Sequence, residues 1–500
     1  MTLVRTNIIA NYLGQAWQAL VAIAFVPMYA DALGIEAFGL VGVMLSLQAM
    51  ALLLDMGLGG VVNRELARRS ALEGTQASMR SFVRTLEWVI WPVALVIALI
   101  ISTMAYWMAS EWLHPKELSV QQATHAIRMM GIAIALQWPA AFYTNALSGL
   151  ERQPAANVVN AVFATLRSAG AVAVLLLVDR SVQAFMIWQA VVGTTHSLLT
   201  AGMVWRALPP GRARFVLQEL VATKRFAAGL VGITALSIAL TQLDRLLLST
   251  LRPLQEVGYF TLAITVAAGL GRLIQPMFNA VYPRFSRLVA AGDATALREL
   301  YKSSTRYLCI VVASATAVLI AFPHATLLLW TGDTKAADIV AMPLAILVAG
   351  TFLNGLMNLP YAMQLAHGWT RLTIGTNLLA LTISVPLGIY VIGTYGVDGA
   401  AYLWLVTNLV LLTVGLPLMH RRLLPGELAG WLRDTVLPPT LTAACVAALC
   451  AWITPSLQRN FQGLACLVLV SALTLLSASL SVTESRRRLF ALMDRVPRHR

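Results

Sequence analysis

At 500 residues, with 58% hydrophobic and 12% charged side chains, the chain carries more apolar surface than a water-soluble fold can hide. Its formal net charge of +14 comes in short basic groups between apolar segments, not in one patch, which argues against a nucleic-acid partner and for membrane topology. The class implied is an all-α polytopic membrane protein, with a ceiling of about fourteen spans at about 20 residues each.

Apolar windows of about 19 residues nearly fill that ceiling. The first span, near 7–30, is too long and too polar on one face for a signal-peptide core and carries Asn7, Asn11, Gln15 and Gln18 along one stripe. The second, 37–62, holds Asp55 just before Gly57, Gly59 and Gly60; the glycines predict close helix packing or a bend, and the acid is read as a partner for a loop arginine. The third, 83–109, has Glu87 near one end, read as snorkelling to the interface. The fourth, 121–149, carries His125 and Arg128, and the fifth, 155–178, aligns Asn160, Phe163 and Arg167 at i, i+3 and i+7. A sixth span covers 182–206. The seventh, 226–251, steps through Thr234, Ser237, Thr241 and Arg245, with Asp244 alongside, and the eighth, 257–283, aligns Arg272, Gln275 and Asn279. Spans follow near 305–331, 337–366 (with Asn354, Asn358 and Tyr361), 371–393, 397–419, 435–455 and 461–482.

The loops alternate in charge. Of 36 basic residues, 27 fall in the loops of one side, including Arg64, Arg68, Arg69, Arg284, Arg287 and the arginines from Arg486 to Arg500, and five fall on the other. The positive-inside rule then makes both termini cytoplasmic. Residues 180–193 and 395–408 resemble one another, with Trp188 opposite Trp404, as do 36–43 and 256–263. Six spans map onto six spans in the same order, which predicts parallel six-helix repeats: a first lobe at 1–210, a second at 211–425, and two appended spans with a basic tail at 426–500. The four cysteines lie in apolar segments without a CxxC, so neither a disulfide nor a metal site is implied, and no cofactor is called for.

Four basic residues remain within spans: Arg128, Arg167, Arg245 and Arg272. Even on the mildest scale an ionised side chain at the bilayer centre costs about 2.5 to 3.5 kcal/mol. Arg167 and Arg272 lie roughly 18 to 24 Å from their flanking loops, too deep for snorkelling to relieve, so they are expected to face a wet cavity. Arg128 and Arg245 lie nearer one surface. Asp244 and Arg245 diverge by about 100° on a helix, so they do not face each other; Asp244 and Asp55 are candidates for charge balance or ion coupling. The basic surplus favours an anionic cargo, which planar guanidinium groups hold through charge-assisted hydrogen bonds. The expected substrate contacts are Arg167, Arg272, Arg245, Arg128, Asn160, Gln275, Asn279, Asn11 and Gln15.

LLLDMGLGGVVNRELARRS at 52–70, preceded by LGIEAFGL at 33–40, resembles the opening of Wzx-type polysaccharide flippases, of the superfamily that also holds lipid II flippases and MATE drug exporters. That resemblance spans nearly the whole chain. It implies transfer of an undecaprenyl-diphosphate-linked oligosaccharide from the inner to the outer leaflet of a bacterial inner membrane, among membrane lipids and alongside a polysaccharide polymerase or ligase. A MATE-type exporter of cations is disfavoured by the shortage of intramembrane acids; a lipid II flippase shares the anionic lipid cargo. A polytopic polymerase or ligase needs a sizeable external catalytic loop, and the longest here is the short EWLHPKEL region. His196, His324 and His367 are isolated and read as packing or interface residues. No Walker motif is present.

Overall fold

In a bilayer each backbone N–H and C=O must find its partner within the protein, so an apolar chain of this length is driven into helices. A computed structural model describes residues 14–55, 57–71, 78–454 and 457–482, and its regular elements are helical. The chain separates into two compact units, Met1–Gly258 and Tyr259–Arg500.

The first unit holds α1 (Gly14–Leu33), α2 (Ile35–Ala51), α3 (Leu58–Ala71), α4 (Met79–Trp107), α5 (Val120–Gln137), α6 (Pro139–Gly149), α7 (Gln153–Leu177), α8 (Val182–Ala207) and α9 (Leu217–Leu251), which packs on α2 and α4. The unit boundary falls in the first turns of α10 (Leu254–Ala291). The second unit continues with α11 (Ala294–Ala321), α12 (Pro323–Thr331), α13 (Thr334–Ala366), α14 (Thr370–Val410), which turns at Gly396 with φ 56°, α15 (Leu416–Leu423), α16 (Leu437–Ile453) and α17 (Phe461–Leu480). Among the described residues, ten helical stretches are long and apolar enough to cross a membrane, one of them the 54-residue stretch Thr370–Leu423 that covers two expected spans. The expected fourth, sixth and seventh spans are helical, as α5 with α6, as α8 and as α9, but are not among those ten.

Local chemistry sets the ends of these elements. Ser119 and Gln122 form a reciprocal capping box at the start of α5, and Pro139 opens α6 where its missing N–H costs least. The expected second span does not run through: a one-turn 3₁₀ helix, Leu52–Asp55, and Gly57 at φ 72° interrupt it before α3. Asp55 is therefore not the partner of a loop arginine. Its Oδ2 accepts the backbone N–H of Gly59 at 3.2 Å, satisfying one of the open donors at the start of α3.

Two other acids are tied down near the ends of the unit. Glu36, 2% exposed, accepts backbone N–H bonds from Lys116, Glu117 and Leu118 at 2.9, 2.9 and 3.0 Å, which pins the α4–α5 loop to the start of α2. Glu87 does not snorkel. It is buried, accepts from Tyr143 Oη at 2.8 Å and Trp205 Nε1 at 2.7 Å, and pairs with Arg84 at 3.0 Å while that guanidinium lies over the Trp205 ring.

Close helix approaches rest on glycine. A Cβ added at Gly39 of α2 would collide with the Leu254 carbonyl oxygen, and one added at Gly258 would collide with the Ile35 carbonyl oxygen, so the first turns of α2 and α10 touch reciprocally through their backbones. Trp188 closes over Gly170 of α7, and its sequence counterpart Trp404 over Gly350 of α13. Gly39→Val should therefore lower thermal stability by about 1 to 3 kcal/mol through overpacking, read as a fall in melting temperature of the detergent-solubilised protein; Gly60→Val, where a Cβ meets nothing within 4 Å, should lower it less.

Candidate substrate-binding cavity

Inside the first unit, α1, α2, α5, α6, α7 and α8 surround a cavity of about 450 Å³, within the range of small-molecule sites. Its polar wall is built by Gln18, Gln48, Gln137, Asn145, Asn160 and His196, together with Thr144, and Arg167 brings the one guanidinium among the lining residues. None of the lining residues is an acid.

The wall is ordered by its own hydrogen bonds. Asn160 Oδ1 accepts from Thr144 Oγ1 at 3.4 Å and lies 3.1 Å from His196 Nε2. The His196 ring stacks on Phe163 with centroids 4.5 Å apart and planes 12° off parallel, while its Nδ1 is buried without a hydrogen-bond partner. Gln48 Nε2 donates to Gln137 Oε1 at 3.3 Å, and the Trp138 indole donates to the Ala51 carbonyl at 3.0 Å, closing the floor. Arg167 is half-buried, its Nε is enclosed without a hydrogen-bond partner, and among the described residues no carboxylate pairs with it.

The structure places the sequence-expected residues in three groups. Asn160 and Arg167, seven residues apart on α7, both line the cavity. Gln15 is exposed and lies outside it, its place on α1 taken by Gln18, three residues along the same stripe; Asn11 lies outside the described residues. Arg128 is exposed on α5, as is His125, because that helix buries its opposite face through Ala123, Ile127, Met130 and Ile134. Asp244, 2% exposed, uses Oδ1 to accept the backbone N–H of Arg245 at 2.8 Å. Its Oδ2 and the half-buried Arg245 Nε have no hydrogen-bond partner, and neither residue lines the cavity. In the second unit, Arg272, Gln275 and Asn279 form an exposed stripe on α10, with Gln275 Nε2 donating to Asn279 Oδ1 at 3.2 Å. Sequence reasoning missed His196 as a wall residue. Its ring is set by Phe163 and Asn160, more than 30 positions away, and spacing along one helix carries no trace of that.

The fold and this site define a polytopic helical membrane protein with the architecture of flippases and multidrug exporters. A solved structure of the lipid II flippase MurJ in an inward closed conformation matches with a TM-score of 0.69 at 12% identity, covering 97% of this chain and 99% of that one. An inward-facing multidrug-resistance MATE transporter of the MOP superfamily matches at 0.64 and 14% identity, over 81% of this chain and 94% of that one. A Shigella flexneri protein bearing the provisional name O-antigen transporter is 21% identical over 400 residues, 80% of this chain and 93% of its own length. Residues 4–289 match the family model described as polysaccharide biosynthesis protein, and the chain belongs to that family.

A wet cavity admits water-borne reagents. With the four native cysteines replaced by serine, Ala49→Cys and Ala141→Cys, both on the cavity wall, should react with a hydrophilic, membrane-impermeant thiol reagent. Val162→Cys on the exposed outer face of α7 should stay unlabelled in intact membranes.

Proposed function

We propose that the chain is a flippase that moves an undecaprenyl-diphosphate-linked oligosaccharide from the cytoplasmic to the periplasmic leaflet of a bacterial inner membrane by alternating access, and delivers it to a polymerase or ligase. In this reading both termini are cytoplasmic, following the arginine bias of the loops. Residues 1–210 and 211–425 act as the two repeat lobes, with 426–500 appended.

The observation that carries the reading is the unneutralised Arg167 guanidinium in a polar, acid-free cavity. A cation in that setting lowers its free energy by accepting an anionic ligand, and the planar fork suits a diphosphate. A cationic drug would meet the wrong sign. The Asn160, Gln48, Gln137 and Thr144 amide and hydroxyl groups suit sugar hydroxyls next to that diphosphate. Arg272, with Gln275 and Asn279, is assigned a contact with the same cargo during the cycle, as are Arg245 and Arg128 with lesser weight; Asp244 and Asp55 balance charge. An anion leaving an inside-negative cell runs downhill by about 2.3 kcal/mol per charge per 100 mV, so the membrane potential can drive the step without nucleotide hydrolysis.

Family membership and the relative's name support the polysaccharide assignment over a drug cargo. Arg167→Ala should cut surface polysaccharide at least about tenfold, the scale of one lost charge-assisted contact, with protein level and membrane insertion unchanged, and Arg167→Lys should restore part of it. Normal glycan output from Arg167→Ala/Arg272→Ala would reject the cationic site.

A further inference from the structure

The second unit has a separate hollow of about 800 Å³ where the end of α10 meets the start of α11. It lies on the side that the loop arginines assign to the cytoplasm. The chain reverses through Gly292 at φ 70°, and Asp293 caps α11 by accepting the Ala296 N–H at 2.9 Å, so the two helices run back beside each other. Four cations line the hollow: Arg284 and Arg287 from α10, and Lys302 and Arg306 from α11. Leu288 and Leu300 form an apolar floor, and Glu299 is the acid among the lining residues.

Basic residues at a membrane surface already have a reason in the positive-inside bias, and that bias asks only for charge, not for a shared concave site. Elsewhere on the same side several cations are engaged within their own unit: Arg68 with Glu65, Arg69 with Glu219, Arg84 with Glu87, Arg433 with Asp434, and Arg422 over the Trp369 ring. In the hollow, Lys302 pairs with Glu427. Its hydrogen bond holds that carboxyl below the usual carboxylate range, and Arg306 also has its own interactions. Arg284 and Arg287 differ. Both are exposed, one turn apart on α10, and among the described residues neither has a hydrogen-bond or ion-pair partner. Two free guanidinium groups over an apolar floor, backed by two further cations, match a tetrahedral anion with several acceptor oxygens better than a carboxylate or a neutral group.

We propose that this hollow binds a phosphate-bearing anion, presented either by an anionic lipid headgroup of that leaflet or by a soluble diphosphate. The site is independent of Arg167 and of the cargo reading above.

The test uses the full chain in nanodiscs. In one arm inorganic diphosphate is titrated into nanodiscs of phosphatidylcholine alone; in the other, phosphatidylglycerol replaces part of that lipid and retained lipid is read by native mass spectrometry. Arg284→Gln/Arg287→Gln is compared with Arg212→Gln/Arg214→Gln, two exposed arginines of the first unit that remove the same charge. The site pair should weaken binding about tenfold in the arm that reports it, and the control pair should leave it unchanged. Added salt should weaken binding to the unmodified chain, which keeps the test decisive if the site pair proves unstable. Loss of diphosphate binding assigns a soluble ligand; loss of phosphatidylglycerol retention without diphosphate binding assigns a headgroup. No binding by the unmodified chain in either arm, or equal losses in both variants, overturns the proposal.

Discussion

An arginine held inside a membrane without an acid beside it is the constraint around which the first unit is arranged. Placing that charge costs about 2.5 to 3.5 kcal/mol even on insertion scales, and the fold offsets the cost with polar groups instead of a counter-charge. Asn160, two turns before Arg167 on the same face of α7, is bonded by Thr144 and His196, and His196 is stacked on Phe163. The wall is thus preset before any ligand arrives, which lowers the ordering cost of binding. A cavity so built carries a guanidinium and no acid among its lining residues.

That sign depends on where the acids go. Glu36 is spent on the backbone of the α4–α5 loop, Glu87 on Tyr143, Trp205 and Arg84, Glu65 and Glu219 on Arg68 and Arg69, and Asp55 on the start of α3. Each of these bonds fixes a loop or a helix end. Asp244 differs from these: it is buried in α9 with one carboxylate oxygen lacking a hydrogen-bond partner. The acids therefore stitch the periphery together while the cavity lining stays free of them.

Much of this was legible in the sequence because the bilayer imposes one dominant rule. Long apolar windows become helices, and the depth of Arg167 within its window, together with the i, i+7 spacing to Asn160, placed both on one face of α7. Long-range partners were harder to see. Glu87 looked interfacial because its position near a span end is visible, whereas Tyr143 and Trp205, 56 and 118 residues away, are not. Asp55 looked like an ion-pair partner because arginines follow it. The break at Gly57 turned it into a helix cap instead, and whether glycines mark a bend or a contact is decided by φ, which composition does not carry. Arg128 shows the limit of depth arguments: it sits in a span, yet the small-residue face of α5 takes the packing and leaves the arginine outside.

Whether Arg167 is the anion receptor of the first unit is read most directly from an experimental structure of the chain with a polyprenyl-diphosphate glycolipid bound. Phosphate density is expected within about 3 Å of the Arg167 guanidinium, with the first sugar against Asn160 and Gln137. A guanidinium turned to lipid or paired with a carboxylate, with the diphosphate bound elsewhere, would contradict it.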